Sequence, residues 1–174
     1  MTPKITVRQA DTTDIPRIVG IIRKAFYEVA VRFGLSEANC PKHPSNCKAG
    51  WIEEAMGKGA RYFLLESDGL SCGCVALEQA SPKICYLERL AVLPAQQRRG
   101  YGRALVDRVL DEVRLLGSHQ VDIGIIAAHT EVKNWYRKIG FVEQRRAHFP
   151  HLPFEVLFMS KTEKIPGPKK GMTS

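Results

Sequence analysis

The segment "QQRRGYGRAL", residues 96–105, constrains the fold of this chain most strongly, because it lies where a strand pattern changes to a helix pattern. The preceding run "KICYLERLAVL" predicts a strand that Pro94 ends. The apolar residues that follow recur at helical spacing and predict an amphipathic helix that Gly117 closes. The first N–H groups of a helix have no partner within it, and glycines let a ligand approach them closely. The segment is therefore a candidate site for a phosphate or diphosphate group.

Three phosphate-binding patterns compete for this segment. A P-loop requires a lysine followed by serine or threonine, and no such pair follows Gly102. A dinucleotide fingerprint requires a third glycine, where this chain has Leu105. The third pattern, Q/R-x-x-G-x-G/A, matches from Gln97 to Gly102. A turn that uses glycine only for its backbone is the alternative, and this short stretch alone does not decide between the two.

The other hydrophobic patterns predict the element order β-α-α-β-β-β-α-β-α-β-β. A first strand at "ITVRQA" precedes a helix that opens at Asp14, and the Asp-Gly pair at 68–69 predicts a hairpin. The crossover from about residue 84 to 126 joins two strands through one helix, which predicts a right-handed parallel connection. This order indicates an α/β (α+β) fold with a sheet of mixed strand direction.

The composition indicates one globular domain, which we place at residues 1–163, with residues 164–174 predicted to form a disordered basic tail. The net charge of +8 suits an anionic ligand, a nucleic acid or a membrane surface, but also simple solubility. The apolar run "IGIIAA" is too short to span a bilayer, and the first residues lack the apolar core of a secretory signal. Five cysteines without the spacing of a disulfide framework indicate a cytoplasmic protein.

Two motifs, in this order along the chain, resemble those of the GNAT-type N-acetyltransferases. The first is "YLERLAVLPAQQRRGYGRALVDRVL" at 86–110, and the second is "NWYRKIGF" at 134–141, a Y-x-x-x-G-F signature. The resemblance is strong over roughly residues 60–145. It implies a mixed, mostly antiparallel sheet with a central parallel, splayed strand pair flanked by helices. It also implies acetyl-coenzyme A as co-substrate, and it leaves a homodimer open.

The resemblance implies where the cofactor binds. The diphosphate would bind the glycine loop, and the pantetheine arm would pair with the end of the preceding strand, where the Val92 N–H would donate to the acetyl carbonyl. His129 stands where many relatives have an asparagine that contacts the arm. The expected cofactor-binding residues are Leu90, Ala91, Val92, Gln97, Arg98, Arg99, Gly100, Tyr101, Gly102, Arg103 and His129.

Two residues are the candidates for the chemistry. Tyr136 occupies the tyrosine of the second motif, which implies that it gives a proton to the departing sulfur; packing in an apolar helix face is its alternative role. Glu88 is the candidate general base, because strand alternation places it on one face with Leu90 and Val92; an ion pair is its alternative role. Glu78 is a weaker candidate base.

The segment "CPKHPSNC", residues 40–47, contains a histidine and two cysteines, but a closed zinc site requires four ligands. Alternation places Cys72 and Cys74 on one strand face, as small core residues rather than further ligands. We therefore predict no metal. The segment lies between the two early helices, which in this family borders the acceptor pocket, so His43, Ser45 and Asn46 are candidate acceptor-site residues.

The sequence as a whole predicts an enzyme that transfers an acetyl group from acetyl-coenzyme A to a primary amine by direct attack. A non-catalytic acyl-coenzyme A-binding or sensing module is the alternative. Charge alone suggests a nucleic-acid-binding domain, and "EQRRAHFPH" is better explained as a solvated hairpin. The expected partner is a small-molecule or peptide amine acceptor, with no nucleic acid and no membrane.

Overall fold

The computed structural model describes residues 2–163, and the tail predicted at 164–174 lies outside them. Within this range the chain forms seven strands and four helices in the order that the hydrophobic patterns predict. The elements are β1 Ile5–Gln9, α1 Ile15–Phe33, α2 Ala49–Gly57, β2 Arg61–Ser67, β3 Leu70–Gln79, β4 Ile84–Val92, α3 Tyr101–Leu115, β5 Gln120–Ile126, α4 Thr130–Ile139, β6 Val142–His148 and β7 Glu155–Thr162.

The strands form one sheet in the order β1-β2-β3-β4-β5-β7-β6. Neighbouring strands are antiparallel except β4 and β5, which form the predicted parallel pair. This pair is in register only from Ile84 opposite Gln120 to Tyr86 opposite Asp122, whereas β5 stays paired with β7 as far as Ile126. The two central strands therefore diverge, and the gap between Leu87–Val92 of β4 and the end of β5 is called the wedge below.

Each face of the sheet has its own apolar core. Alternating side chains of β2 go to opposite faces: Phe63 and Leu65 pack with α3 and α4, whereas Tyr62 and Leu64 pack with α1 and α2. We call these the α3 face and the α1 face. Burying a large apolar side chain contributes about 1.5–3 kcal/mol, so the two cores together hold the helices on the sheet.

A buried carboxylate anchors the start of α1. Asp14 accepts two hydrogen bonds from Arg8, at 2.8 and 2.9 Å, one from Arg17 at 3.1 Å, and one from the Asp11 main-chain N–H at 3.0 Å. The bonds from Arg8 lower the pKa of Asp14 to about 2, although burial opposes the shift. The cluster ties the first strand to the helix that follows it.

Two β-bulges change which face a side chain occupies. In β3, Ser71 pairs with Glu66 and Gly73 with Leu65, so Cys72 is the extra residue. Cys72 joins the core of the α3 face and Cys74 that of the α1 face. The prediction that these two cysteines share one strand face was therefore wrong.

The second bulge lies in β4, at the candidate site. Glu88 pairs with Ala76 and Ala91 pairs with Cys74, so two residues of β4 oppose a single residue of β3. Arg89 takes a φ of 51° at this point. Glu88 consequently faces α1 and α2, while Leu90 and Val92 pack on the α3 face. The prediction that Glu88 shares a face with Leu90 and Val92 was wrong, because the bulge breaks the strand alternation.

Candidate active site

The N-terminus of α3 presents unpaired main-chain N–H groups. Gly100 precedes the helix with a φ of 81°, and Arg98 has a φ of 63°. The Ala104 N–H donates to the Gly100 carbonyl at 3.1 Å and so closes the first turn of the helix. The N–H groups of Tyr101, Gly102 and Arg103 therefore lie in the first turn, where an α-helix offers them no acceptor and where its dipole favours an anion.

Some side chains around this turn are free to contact a ligand, and others hold the loop in place. Arg98 and Arg99 are exposed, and neither makes an ion pair within the described range. The Gln97 amide donates to the Val92 carbonyl at 3.2 Å and so ties the loop to β4. Tyr101 is 3% exposed and its hydroxyl donates to Ser67 Oγ at 3.0 Å. Of this tyrosine, only the main chain is available to a ligand.

Gly102 has a packing reason that the sequence did not reveal. A Cβ at this position would lie 3.3 Å from Cζ2 of Trp135 and 4.0 Å from Cγ2 of Val92. The indole of α4 therefore rests against the first turn of α3 and the end of β4. Trp135 and Gly102 lie far apart in the chain, so no local pattern in the sequence could have indicated this contact.

The wedge exposes main-chain groups of β4. The Leu93 N–H donates to the Cys72 carbonyl at 2.8 Å, toward β3. Because successive N–H groups along a strand point to opposite sides, the Val92 N–H points toward the wedge. Leu90 and Val92 pack against the α3-face core, whereas the Ala91 side chain is buried on the α1 face. All three expected residues thus border the wedge, with Ala91 contributing main chain only.

Tyr136 lies in the core of the α3 face, against which Leu90 and Val92 of the wedge also pack. It is 6% exposed and packs edge-to-face with Trp135 and Phe141, with ring centroids 5.0 and 5.2 Å away. Burial raises the pKa of its phenol. The hydroxyl therefore keeps its proton at neutral pH, which is the state that a proton donor requires.

Glu88 lies on the opposite face, in a cavity of about 300 Å³ between α2 and the sheet. Burial among the cavity walls raises its pKa, and the neighbouring Glu78 raises it further, while the charge of Arg89 opposes the shift. The residue nevertheless keeps an exposed surface. Within the described range no ion pair involves Glu88, so the alternative role of ion-pair partner receives no support. The cavity is lined by Lys42, Trp51, Glu54, Ala55, Lys58, Ala60, Tyr62, Ala76, Glu78, Glu88 and Arg89.

His129 stands immediately before α4. Its ring centroid lies 5.5 Å from that of Phe33, and its Nε2 lies 3.8 Å from a Glu131 oxygen. Burial lowers its pKa, and the charge of Arg32 lowers it further. The imidazole is therefore neutral at physiological pH and can accept or donate a hydrogen bond.

The loop between α1 and α2 uses its polar side chains internally. His43 packs on Phe26, its Nδ1 lies 2.7 Å from Ser45 Oγ, and the Asn46 amide donates to the Cys40 carbonyl at 3.2 Å. These contacts hold the loop, and an acceptor role for His43, Ser45 and Asn46 stays a prediction. Cys40 and Cys47 belong to different apolar clusters. Between residues 2 and 163, no group of three or more potential ligands could hold a metal ion.

A second cavity, of about 390 Å³, opens at the ends of α1 and β5. Its acidic residue, Glu155, is already paired with Arg146 at 3.2 Å and with His148 at 2.9 Å. A paired carboxylate is a weaker base than an unpaired one. The Glu88 cavity is therefore the better candidate for acid–base chemistry.

Known proteins resemble this chain in sequence. Residues 58–143 match the family model of the acetyltransferase (GNAT) domain. A ribosomal protein bS18-alanine N-acetyltransferase of Escherichia coli is 31% identical over 106 residues, which are 58% of this chain and 71% of that protein. An amino-acid acetyltransferase of Neisseria meningitidis is 29% identical over 138 residues, or 79% of this chain. The chain spans only 27% of the length of that second relative.

Solved structures share the fold over nearly the whole chain. The ribosomal-protein-S18-alanine N-acetyltransferase from Escherichia coli superimposes with a TM-score of 0.76 at 19% identity, covering 95% of this chain and 98% of that one. The PaiA N-acetyltransferase from Thermoplasma acidophilum, in complex with coenzyme A, gives 0.73 at 14% identity, covering 91% and 99%.

The chain belongs to the GNAT family of N-acetyltransferases, whose acyl donor is acetyl-coenzyme A. The residues present suit this donor: main-chain N–H groups and arginines for its phosphates, and a splayed strand edge for its amide-bearing arm. The mixed sheet with a splayed central parallel pair, which the motifs led us to expect, is confirmed.

Proposed function

We propose that this chain transfers the acetyl group of acetyl-coenzyme A to a primary amine by direct attack, without a covalent enzyme intermediate. The observation that supports this most is the arrangement around the wedge. Glu88 approaches it from the α1 face and Tyr136 from the α3 face. A base and an acid on opposite faces suit an attack from one side and protonation of the leaving group on the other.

In this proposal the cofactor is held mainly by main-chain groups. The N–H groups from Gly100 to Arg103 and the guanidinium groups of Arg98 and Arg99 bind the phosphates. The exposed edge of Leu90–Val92 pairs with the pantetheine amides, and His129 takes a contact with the same arm. The Val92 N–H donates to the acetyl carbonyl and stabilises the negative charge that grows there during attack.

The chain's own groups then move the protons. Bound acetyl-coenzyme A supplies a thioester whose C–S bond breaks as the new C–N bond forms. Glu88 accepts the proton that the attacking nitrogen loses, directly or through a water molecule. Tyr136 donates a proton to the departing sulfur, and exchange with solvent restores both residues.

The acceptor enters through the Glu88 cavity. The names of the two relatives refer to amino acids and to an alanine of a ribosomal protein. An amine is common to both, so we propose a small-molecule or peptide amine as the acceptor. No helix among residues 2–163 is long and apolar enough to cross a membrane.

A free-thiol assay with acetyl-coenzyme A and a panel of amines tests the proposal. We expect thiol release that depends on both substrates, with a mass increase of one acetyl group on the amine and none on the protein. Acetyl-coenzyme A that stabilises the protein without thiol release from any amine would instead identify a binding or sensing module.

Three further expectations belong to the proposal. All five cysteines are buried and free, which supports a reducing, cytoplasmic location. Residues 1–163 are proposed to fold as one domain, which expression of that fragment checks. A homodimer is also proposed, and light scattering of the purified chain measures it.

A further inference from the structure

Arg89 is one of two cations of the Glu88 cavity, with Lys42, that make no ion pair among the described residues. It occupies the β4 bulge, and its Nη1 donates to the Tyr62 hydroxyl at 2.6 Å. Its guanidinium carbon lies 5.9 Å from the ring centroid of Trp51. Among the described residues, no carboxylate lies within 4.0 Å of it. A guanidinium has several N–H donors in one plane, so donors remain beyond the one that Tyr62 engages.

The charges of the cavity are arranged in two groups. Lys42 Nζ lies 4.9 Å from the Trp51 centroid, so Lys42 and Arg89 both flank the indole of α2. Glu88 pairs across the strands with Ala76, and Glu78 lies two residues further along β3 on the same face, so the two carboxylates are diagonal neighbours on the sheet floor. The two remaining charged residues of the cavity, Lys58 and Glu54, form an ion pair at 2.9 Å, so their charges cancel.

We propose that the acceptor is a free amino acid or a similar small amino-carboxylate, with its carboxylate on Arg89 and its amine directed to Glu88. This inference rests on the proposed function and names the substrate class of the same site. A carboxylate accepts two parallel hydrogen bonds from a guanidinium, which fixes the orientation of the molecule. The carboxylates of the floor attract the ammonium group at the other end.

A peptide N-terminus fits this arrangement less well. Its first residue carries a neutral amide where a free amino acid carries a carboxylate, so it leaves Arg89 without an anionic partner. A half-buried cation that loses solvent without gaining a partner opposes binding. Arg89 is thus expected to determine specificity rather than to take part in proton transfer.

The test compares L-amino acids with their carboxamides as acceptors, because each pair differs only in the anionic group. We expect the wild type to prefer the free acid by at least tenfold in kcat/KM. Arg89→Gln should raise KM for the free acids about tenfold to a hundredfold and leave kcat/KM for the carboxamides within about twofold. Lys24→Gln, which removes a cation from the exposed side of α1, is the matched control and should change neither.

Two results would overturn the inference. One is a wild type that accepts acids and carboxamides equally well. The other is an Arg89→Gln variant that loses activity with both kinds of acceptor alike, since that would give Arg89 only a structural role in holding Tyr62.

A second variant serves if Arg89→Gln does not fold, as judged by thermal stabilisation with acetyl-coenzyme A. Lys42→Gln then replaces it. Loss of this exposed cation should raise KM for the free acids about threefold. An unchanged KM in the Lys42 variant would contradict the proposal. Thiol release with carboxamides but no preference for acids defeats this inference alone; no thiol release with any amine defeats the proposed function.

Discussion

The two faces of the sheet hold their parts of the site in different ways. On the α3 face the candidate cofactor loop consists of main-chain N–H groups, of Gly102 against Trp135, and of a regular apolar core beneath them. On the α1 face the Glu88 cavity depends on charged side chains that a bulge brings into place. Main-chain recognition suits a donor common to a whole family, whereas side chains can differ with the acceptor. The following substitutions test whether the α3 face binds the donor and the α1 face binds the acceptor.

The largest expected effect comes from Tyr136→Phe. Removal of the phenolic proton should lower kcat about a thousandfold, because the thiolate then leaves without a general acid. Acetyl-coenzyme A binding, measured by calorimetry, should stay unchanged, since the ring and its packing are kept. Tyr27→Phe, on the exposed side of α1, is the control. A Tyr136→Phe variant with normal kcat would assign this tyrosine to packing alone.

Glu88→Gln should lower kcat/KM about a hundredfold at neutral pH. The base must be ionised, so the wild-type rate should rise with pH and level off above the pKa of Glu88. Burial and Glu78 raise that pKa, so the rise should lie above the ordinary glutamate range. The variant should lack this limb of the pH–rate profile, while Glu53→Gln on α2 retains it. An identical profile in the Glu88 variant would move the base elsewhere.

Asp14→Asn tests how the α1 face is held to the sheet. Its folded-state pKa of about 2 lies below the ordinary 3.8, so its contribution is present above about pH 4 and disappears as the pH falls through about 2. The free energy of unfolding at neutral pH should fall by about 2 kcal/mol, or roughly thirtyfold in the unfolding constant. Urea titrations at several pH values measure the loss.

The control for this variant is Asp107→Asn, which removes an exposed ion pair with Arg103 and should cost less than about 1 kcal/mol. Equal losses in the two variants at neutral pH, or a loss at Asp14 that persists at pH 2, would show that the buried carboxylate is not the anchor of α1.

The smallest effect is expected from Gly102→Ala. The new Cβ, 3.3 Å from the Trp135 ring, must displace the indole by a few tenths of an ångström, and it also narrows the approach to the N–H groups. Acetyl-coenzyme A should bind roughly tenfold more weakly by calorimetry. Gly20→Ala is the matched control, because a Cβ in that part of α1 meets no atom within 4 Å. Equal affinities in both variants would remove Gly102 from the binding loop.

The elements and the glycine turn before α3 could be predicted because their signals are local. Helical spacing, the glycines at 100 and 102, and the Asp-Gly turn each act over a few residues, and the predicted element order and parallel pair are confirmed. The face of Glu88 could not be predicted in the same way. Period-two alternation assumes a regular register, and a bulge is decided by how the neighbouring strand pairs. The same assumption gave the wrong face for Cys72, because this residue is the extra one in the bulge of β3.

By itself the sequence determined the family, the donor, and the glycine loop that is the candidate site for the donor's phosphates. Backbone conformation at glycine and the start of a helix are set by residues close in the chain, so motifs report them. Only the tertiary structure decided that Glu88 and Tyr136 lie on opposite faces, that Trp135 rests on Gly102, and that Arg89 meets Tyr62 and Trp51 beside Glu88. Those relations join residues far apart in the chain, and packing and strand register, which no local pattern encodes, bring them together.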